Sequence, residues 1–399
     1  MKITLKYLKP YFATLLGLIL ATGLVGFITP FPNEIMFMIF LFVFFICIYH
    51  GVTLKHSYLF FILYLIINII ITNPDALFHS WERLAFFSSM LLAVSPIVMN
   101  VYARTFRWQA FKVLISIAVV LSTLSFFAFF LGINMFVRNG TLLEDYVSNA
   151  GWFSGLYRHS MILGPMSALG ACSLVYLGLA YNKKYFFLLA VPCVGSVMFA
   201  ASRTAFVALV ISLLFMLFQF SKNKEKFLKY LMISILVIGI TFPLWNRGLG
   251  RMASKQAAFE GQGRFGSRTE LWENRISEFK SSPVCGVGFS AVSLASHDYN
   301  PKTGGLEPGS SWLAILSMTG ILGFAFVLYF FYQAYTSIRK SKMPRAVLLM
   351  AALIFIAVHM IAEGYIYAAS NPECVIAWLI IACCTDLNNQ NKHETCFLQ

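Results

Sequence analysis

The sequence predicts an all-α fold, a polytopic integral membrane bundle of about twelve transmembrane helices. The 399 residues are 59% hydrophobic and only 12% charged, whereas about 25% of residues are charged in soluble domains. The mean hydropathy is +0.75. Apolar runs long enough to cross a bilayer recur along the whole chain, while a transmembrane β-barrel would show short alternating segments.

Run length and flanking polar residues place the predicted spans in order. Several approach the lower limit of about 17 residues for crossing a membrane. The spans are predicted at roughly 12–29, 35–50, 57–73, 84–101, 113–132, 160–180, 185–200, 204–220, 229–244, 311–337, 346–362 and 366–384. They form one transmembrane domain over 1–384, with a large loop at 245–310, a smaller loop at 133–159 and a polar tail at 385–399.

The distribution of positive charge predicts the orientation of the bundle. With a cytoplasmic N-terminus, the basic short loops such as 183–184 and 339–345 are cytoplasmic, and those on the other side, such as 30–34 and 363–365, carry almost no positive charge. This agrees with the positive-inside rule and puts both termini in the cytoplasm and both long loops outside. The net charge of +14 has the same explanation, so nucleic acid is not an expected partner.

Arginine, rather than lysine, dominates the positive charge on the predicted outer side. Its planar guanidinium suits bidentate binding of phosphate, although an interfacial arginine that only reaches water is the plain alternative. The large loop carries Arg247, Arg251 and Arg264. The five candidates for holding a phosphate-linked lipid are Arg83, Arg158, Arg203, Arg268 and Arg275.

The middle of the large loop, 268–279, is predicted to form an amphipathic helix at the membrane surface. Arg268 and Arg275 are seven residues apart, about two helical turns, so they share a face with Trp272 between them. Trp272 is a candidate for packing under a sugar ring. A solvated helix without a ligand is the alternative. Proline and glycine at 283–288 predict a turn after this helix.

His159 and Glu307 are the candidates for general acid–base catalysis. His159 precedes the sixth span at a predicted membrane mouth, and histidine changes charge near neutral pH. A histidine that is only hydrogen-bonded at the interface is the alternative. Glu307 and Glu363 are the outer carboxylates nearest to span mouths. Glu363 follows His359 by four residues, a pair that we interpret as polar satisfaction within the bundle.

The chain has no nucleotide-binding, common hydrolase or zinc-protease motif. Its eight cysteines show no CxxC and no metal-ligand spacing with histidine. We therefore predict no metal and no cofactor. If the protein is an enzyme, its substrate is already activated and lies in the membrane.

Four segments occur in a fixed order that is similar to a known family. They are Tyr-Arg-His-Ser at 157–160, Ser-Arg-Thr-Ala from 202, Arg268-x-x-x-Trp272 with Pro-Val-Cys-Gly-Val-Gly at 283–288, and Ser-Trp-Leu-Ala from 311 with Gly320 and Gly323. Together they resemble the bacterial O-antigen ligase and polymerase superfamily. The resemblance covers roughly the C-terminal half of the chain.

The resemblance implies a glycosyltransferase on the periplasmic face of the bacterial inner membrane, using undecaprenyl-pyrophosphate-linked glycan. Arg203 and Arg268 match arginines that bind the pyrophosphate in the family, and Ser310, Ser311 and Glu363 are candidates for sugar binding or support. The implied partners are the lipid-linked donor, a glycan or lipid-linked acceptor and membrane lipids. A flippase and a chain-length regulator are further candidates.

One position departs from the family pattern. Aligned on Gly320 and Gly323, this sequence has Gly309-Ser310 where many members carry His-Asn. Glu307 or His159 then supplies the base, or the acceptor chemistry differs. This favours a surface polysaccharide polymerase, with ligation to lipid A-core as the alternative. A flippase or other transporter ranks lower, because the charges gather at one face and no internal repeat is visible.

Overall fold

The structure is a computed structural model. It describes residues 2–135, 137–138, 141–142, 153–221, 223, 225, 227–229, 232, 268–296 and 298–389. Apart from Lys229 and Met232, the predicted ninth span lies outside these residues. So do Arg247, Arg251 and Arg264 and much of the smaller loop.

The described fold consists of helices joined by short connections. Two-residue strands β1 (Val137–Arg138) and β2 (Thr141–Leu142) pair antiparallel in the smaller loop. The helices are α1 Lys2–Thr22, α2 Asn33–Tyr49, α3 His56–Thr72, α4 Ser80–Val94, α5 Val101–Phe130, α6 Ser160–Tyr181, α7 Tyr185–Phe199, α8 Arg203–Phe220, α9 Arg268–Ser281, α10 Ser311–Lys340, α11 Arg345–His359 and α12 Pro372–Asp386.

Four described helices, α5, α6, α8 and α10, are both long enough and apolar enough to cross a membrane. Shorter apolar helices include α2, α3, α7 and α11. The all-helical membrane fold is therefore confirmed at this level, while the count of twelve spans and the sidedness of the bundle stay predictions.

The boundaries of the predicted fourth and fifth spans are wrong. α4 ends at Val94, and α5 begins at Val101 and runs for 30 residues. It includes Arg107, which lies between the predicted spans 84–101 and 113–132. Pro96 cannot continue α4, and the Asn100 side chain caps α5 by accepting from the Ala103 amide at 2.8 Å.

Contacts between the ends of helices show which helix ends lie together at each of the two ends of the bundle. We call one the tail end: there Arg107 of α5 pairs with Asp386, the last residue of α12, at 2.7 Å between Nη2 and Oδ1. Helix α12 thus runs two residues into the predicted tail. We call the other the loop end: there Arg83 of α4 donates to the carbonyl of Gly304, in the large loop, at 2.8 Å.

Helix α10 is broken at Gly320, about one third of the way along, where the turn at 283–288 docks. Gly320 has φ 62°, a conformation that favours glycine, and a Cβ there would meet the backbone of the docked turn. The Val287 amide donates to the Ser317 carbonyl at 2.8 Å, and the Ile321 amide to the first carbonyl of the turn at 2.9 Å. The loop therefore bonds backbone groups that the break exposes, as an apolar setting requires.

We expect Arg107→Ala to lower the stability of the bundle strongly. The guanidinium is almost fully buried, is bidentate on Asp386, and also donates to the Ser95 and Val98 carbonyls. Removing one partner of such a buried pair costs about 3–5 kcal/mol. The apparent midpoint of thermal unfolding in detergent should fall, whereas the exposed Arg339→Ala should leave it nearly unchanged. Equal midpoints for the two variants would contradict this assignment.

Candidate functional site

The predicted loop helix is present as α9, and its first residue is Arg268. Its buried side chains, Leu271, Arg275 and Glu278, follow helical spacing and face the bundle, where α9 packs against α10. The face that Arg268 and Arg275 share therefore points into the protein.

Arg275 is fully buried and lies in an ion cluster with Glu278 and Asp298. Its Nη1 is 3.0 Å from Glu278 Oε2, and its Nη2 donates to Asp298 Oδ2 at 2.9 Å. Glu278 in turn accepts from the Ser293 amide at 2.7 Å. Burial raises the pKa of the Glu278 carboxyl, while the Arg275 charge opposes this rise. The cluster ties the loop after α9 to the helix, which is a structural role for Arg275. The predicted phosphate contact of Arg275 stays a prediction.

Arg268 is placed differently, at a partly open site between two carboxylates. Its Nη2 donates to Glu363 Oε2 at 3.0 Å, and its Nη1 is 4.0 Å from Glu307 Oε1. The side chains are 20% exposed for Arg268, 14% for Glu363 and 70% for Glu307. Three residues predicted from separate segments thus meet at the loop end.

The two predicted serines hold the segment that carries Glu363. The Ser311 hydroxyl donates to the Glu363 carbonyl at 2.6 Å and accepts from the Tyr365 amide at 3.0 Å. Ser310 caps α10 and donates to the Met360 carbonyl at 3.3 Å. These contacts fix the chain after α11, so both serines position Glu363.

Trp272 and Gly309 hold α9 close to the start of α10. The Trp272 indole donates to the Gly309 carbonyl at 3.2 Å. Gly309 has φ +71°, and a Cβ there would lie 2.8 Å from the Leu271 Cβ. Position 309, where the sequence departs from the pattern of the family it resembles, is therefore a close contact between backbone and helix.

The other predicted residues lie at the starts of α4, α6 and α8. Arg158 donates to the Ile28 carbonyl at 2.9 Å, and His159 caps α6 by accepting from the Met161 amide at 3.1 Å. Arg203 is the exposed first residue of α8. Their convergence on Arg268 stays a prediction.

Helix packing relates Arg203 to the Arg268 site. The Ser212 hydroxyl of α8 donates to the Ala351 carbonyl of α11 at 3.1 Å. Helix α11 ends four residues before Glu363. Arg203 thus begins a helix that packs directly on α11, and Glu363 lies in the segment that follows α11.

A cavity of about 880 Å³ lies at the loop end between α2, α4, α10 and the segment after α11. No pattern in the sequence predicts this cavity. Glu34 stands in a predicted outer connection, but nothing in the sequence joins it to residues 364–370. The lining includes Glu34, Phe37, Glu82, Arg83, Met318 and Tyr367.

Residues 186–328 match the O-antigen ligase family, which supports the resemblance to the O-antigen ligase and polymerase superfamily. No curated protein gives a significant match. The matched region contains Arg203, Arg268 and the break at Gly320, and ends before Glu363. The apolar helices indicate a membrane protein, and the match shows that residues 186–328 are similar to a family of glycosyl-transferring membrane enzymes.

We expect Gly309→Ala to lower stability by about 1–3 kcal/mol, because it combines a strained φ with a clash against Leu271. Gly132→Ala is a matched control: its φ is +72°, and a Cβ there meets no described atom within 4 Å. Thermal unfolding of both variants separates the clash from the backbone strain. A Gly309→Ala variant no less stable than Gly132→Ala would rule out the close contact.

Proposed function

We propose that this protein, whose residues 186–328 match the O-antigen ligase family, is a glycosyltransferase that uses undecaprenyl-pyrophosphate-linked glycan. It works on the periplasmic face of the bacterial inner membrane and most resembles a surface polysaccharide polymerase, with transfer to lipid A-core as the alternative. The observation that carries the proposal is the partly exposed Arg268 between Glu363 and Glu307.

The donor diphosphate binds by exchange at Arg268. In the structure one Nη2–Oε2 bond of 3.0 Å joins this guanidinium to Glu363, and guanidinium has further N–H donors in a fork that suits phosphate. A diphosphate carries more charge than a carboxylate and can displace Glu363 from this donor. Arg203 is the second proposed cation, because its helix packs against the helix that precedes Glu363.

The transfer itself needs a neutralised leaving group and a base. The acceptor hydroxyl attacks the anomeric carbon, the bond from that carbon to the phosphate oxygen breaks, and its electron pair leaves with the pyrophosphate. Arginines stabilise that charge. The hydroxyl proton goes to a carboxylate, for which Glu307 is proposed because it is exposed and 4.0 Å from Arg268. His159 is the second candidate base.

We expect Arg268→Ala to lower kcat for glycan transfer about 10²–10³-fold, the usual effect of removing one donor to a developing negative charge. Arg268→Lys keeps the charge without the fork, so its rate should be intermediate. The assay uses reconstituted full-length protein with lipid-linked single repeats. Long chains as product identify a polymerase, and single transfers to lipid A-core a ligase.

The matched control is Lys280→Ala, since Lys280 is an exposed cation on the same helix. It should retain the wild-type rate. A wild-type rate of glycan transfer in the Arg268→Ala variant would contradict the proposed diphosphate site.

We expect Glu363→Gln to bind inorganic pyrophosphate about tenfold more tightly while transferring glycan more slowly. Like charges about 4 Å apart repel by about 4 kcal/mol at an effective dielectric constant of about 20, so the Glu363 carboxylate weakens the binding of pyrophosphate at Arg268. Removing this repulsion should increase the affinity by more than the poorer orientation of Arg268 decreases it. Isothermal titration with pyrophosphate measures the affinity. Weaker binding by Glu363→Gln would mean that Glu363 only positions Arg268 and does not compete.

A further inference from the structure

The 880 Å³ cavity begins beside the proposed reaction centre. Its wall includes Pro308 and Gly364, the chain neighbours of the two carboxylates, Glu307 and Glu363, that flank Arg268. Consecutive Cα atoms are about 3.8 Å apart, so the cavity and the Arg268 site share a wall. A Cβ on Gly364 would lie 2.8 Å from Pro308 Cβ, so this wall is closely packed.

The cavity has the size and the mixed polarity of a carbohydrate site. Ligand sites typically measure about 300–1,000 Å³. Phe37, Phe86 and Tyr367 give the lining flat apolar surfaces, and Glu34 and Glu82 supply carboxylate oxygens. Carboxylates accept hydrogen bonds from hydroxyl groups, and the faces of a pyranose ring are apolar.

The exposed acidic residues at the rim of the cavity make the rim negatively charged. Glu34 and Glu82 are both exposed, with His79 Nδ1 3.4 Å from Glu82 Oε1. Arg83 also lines the cavity, but its guanidinium is directed at the loop, where it donates to the Gly304 carbonyl at 2.8 Å and the Ser290 hydroxyl at 3.3 Å. An anionic ligand at this rim meets two carboxylates and is repelled.

We infer that this cavity is the acceptor site and that it takes an uncharged or amino-bearing sugar in preference to an acidic sugar. The inference rests on the proposed function, because it assigns the second substrate of that reaction. The two substrates are separated by charge: the cation Arg268 holds the diphosphate, and the carboxylates Glu34 and Glu82 receive the hydroxyl-rich acceptor.

The test uses the full-length protein in detergent and two probes. One is an array of short oligosaccharides that are neutral, amino-bearing or uronic-acid-bearing, and the other is inorganic pyrophosphate. Ala85 is exposed and lines the cavity, so Ala85→Trp fills it from the surface. We expect this variant to bind the oligosaccharides that the wild type binds at least tenfold more weakly. Its affinity for pyrophosphate should stay within twofold of the wild-type value.

Charge selectivity is tested separately. The double variant Glu34→Gln/Glu82→Gln should gain affinity for uronic-acid-bearing oligosaccharides at least fivefold. The matched control, Glu270→Gln/Glu273→Gln, removes two exposed carboxylates of α9 that do not line the cavity and should keep the wild-type selectivity. Retained pyrophosphate affinity reports that each variant is folded, and Ala368→Trp provides a second blocking variant from another segment.

Three results would overturn the inference. They are unchanged glycan affinity in both blocking variants, unchanged selectivity in the Glu34/Glu82 variant, and a wild type that retains no neutral or amino-bearing oligosaccharide. The proposed function fails by a different result, pyrophosphate binding that does not depend on Arg268.

Discussion

The docking of the 283–288 turn on the break in α10 is the constraint on which the loop end depends. Backbone groups at Gly320 leave the helical pattern well inside an apolar helix, so they need partners from the protein. The turn provides them and follows α9 almost directly. Its docking therefore fixes the C-terminal end of α9, and the Arg275 cluster fixes the chain beyond it. With both anchored, Arg268 at the start of α9 is held toward Glu363.

The ion pairs of this protein fall into two kinds, and burial separates them. Arg107 and Arg275 are almost completely inaccessible and are matched by carboxylates that are equally buried. Breaking such a pair leaves an uncompensated charge, so these pairs hold segments together. The pair of Arg268 with Glu363 is partly open to solvent. Its partner can be exchanged for another anion without burying a lone charge, which is what a binding site for diphosphate requires.

Local pattern predicted much of the fold. The span predicted at 160–180 is the helix Ser160–Tyr181, and the loop helix predicted at 268–279 is Arg268–Ser281. The first is a continuous apolar run, and the second has apolar residues at helical spacing. The fifth span was predicted to begin at 113, and not at Val101, because hydropathy does not show that Arg107 has a buried partner in Asp386, far along the chain. Without that partner, a loop was the reasonable place for the arginine.

The same limit applies to the candidate site. Arg268 and Arg275 are the same residue type on the same helix face, and sequence alone gave them the same role. Asp298 distinguishes them, because its carboxylate holds Arg275 at 2.9 Å and nothing in the sequence connects the two positions. The sequence favoured a contact of Arg268 with Glu307 and Glu363, because all three were predicted to lie on the outer side, near the ends of spans. The cavity depends on packing between α2 and residues 364–370, which no local pattern encodes.

Gly309, where the sequence departs from the family pattern, links the packing of α9 to the proposed chemistry. A side chain at this position would press on Leu271 and push α9 outward. With glycine, the backbone of residue 309 accepts directly from Trp272, and α9 lies close enough for Arg268 to reach Glu363. Position 309 therefore cannot both carry a histidine base and allow α9 to approach this closely. The proposed reaction then takes its base from another position, and Glu307, 4.0 Å from Arg268, is the carboxylate that we propose.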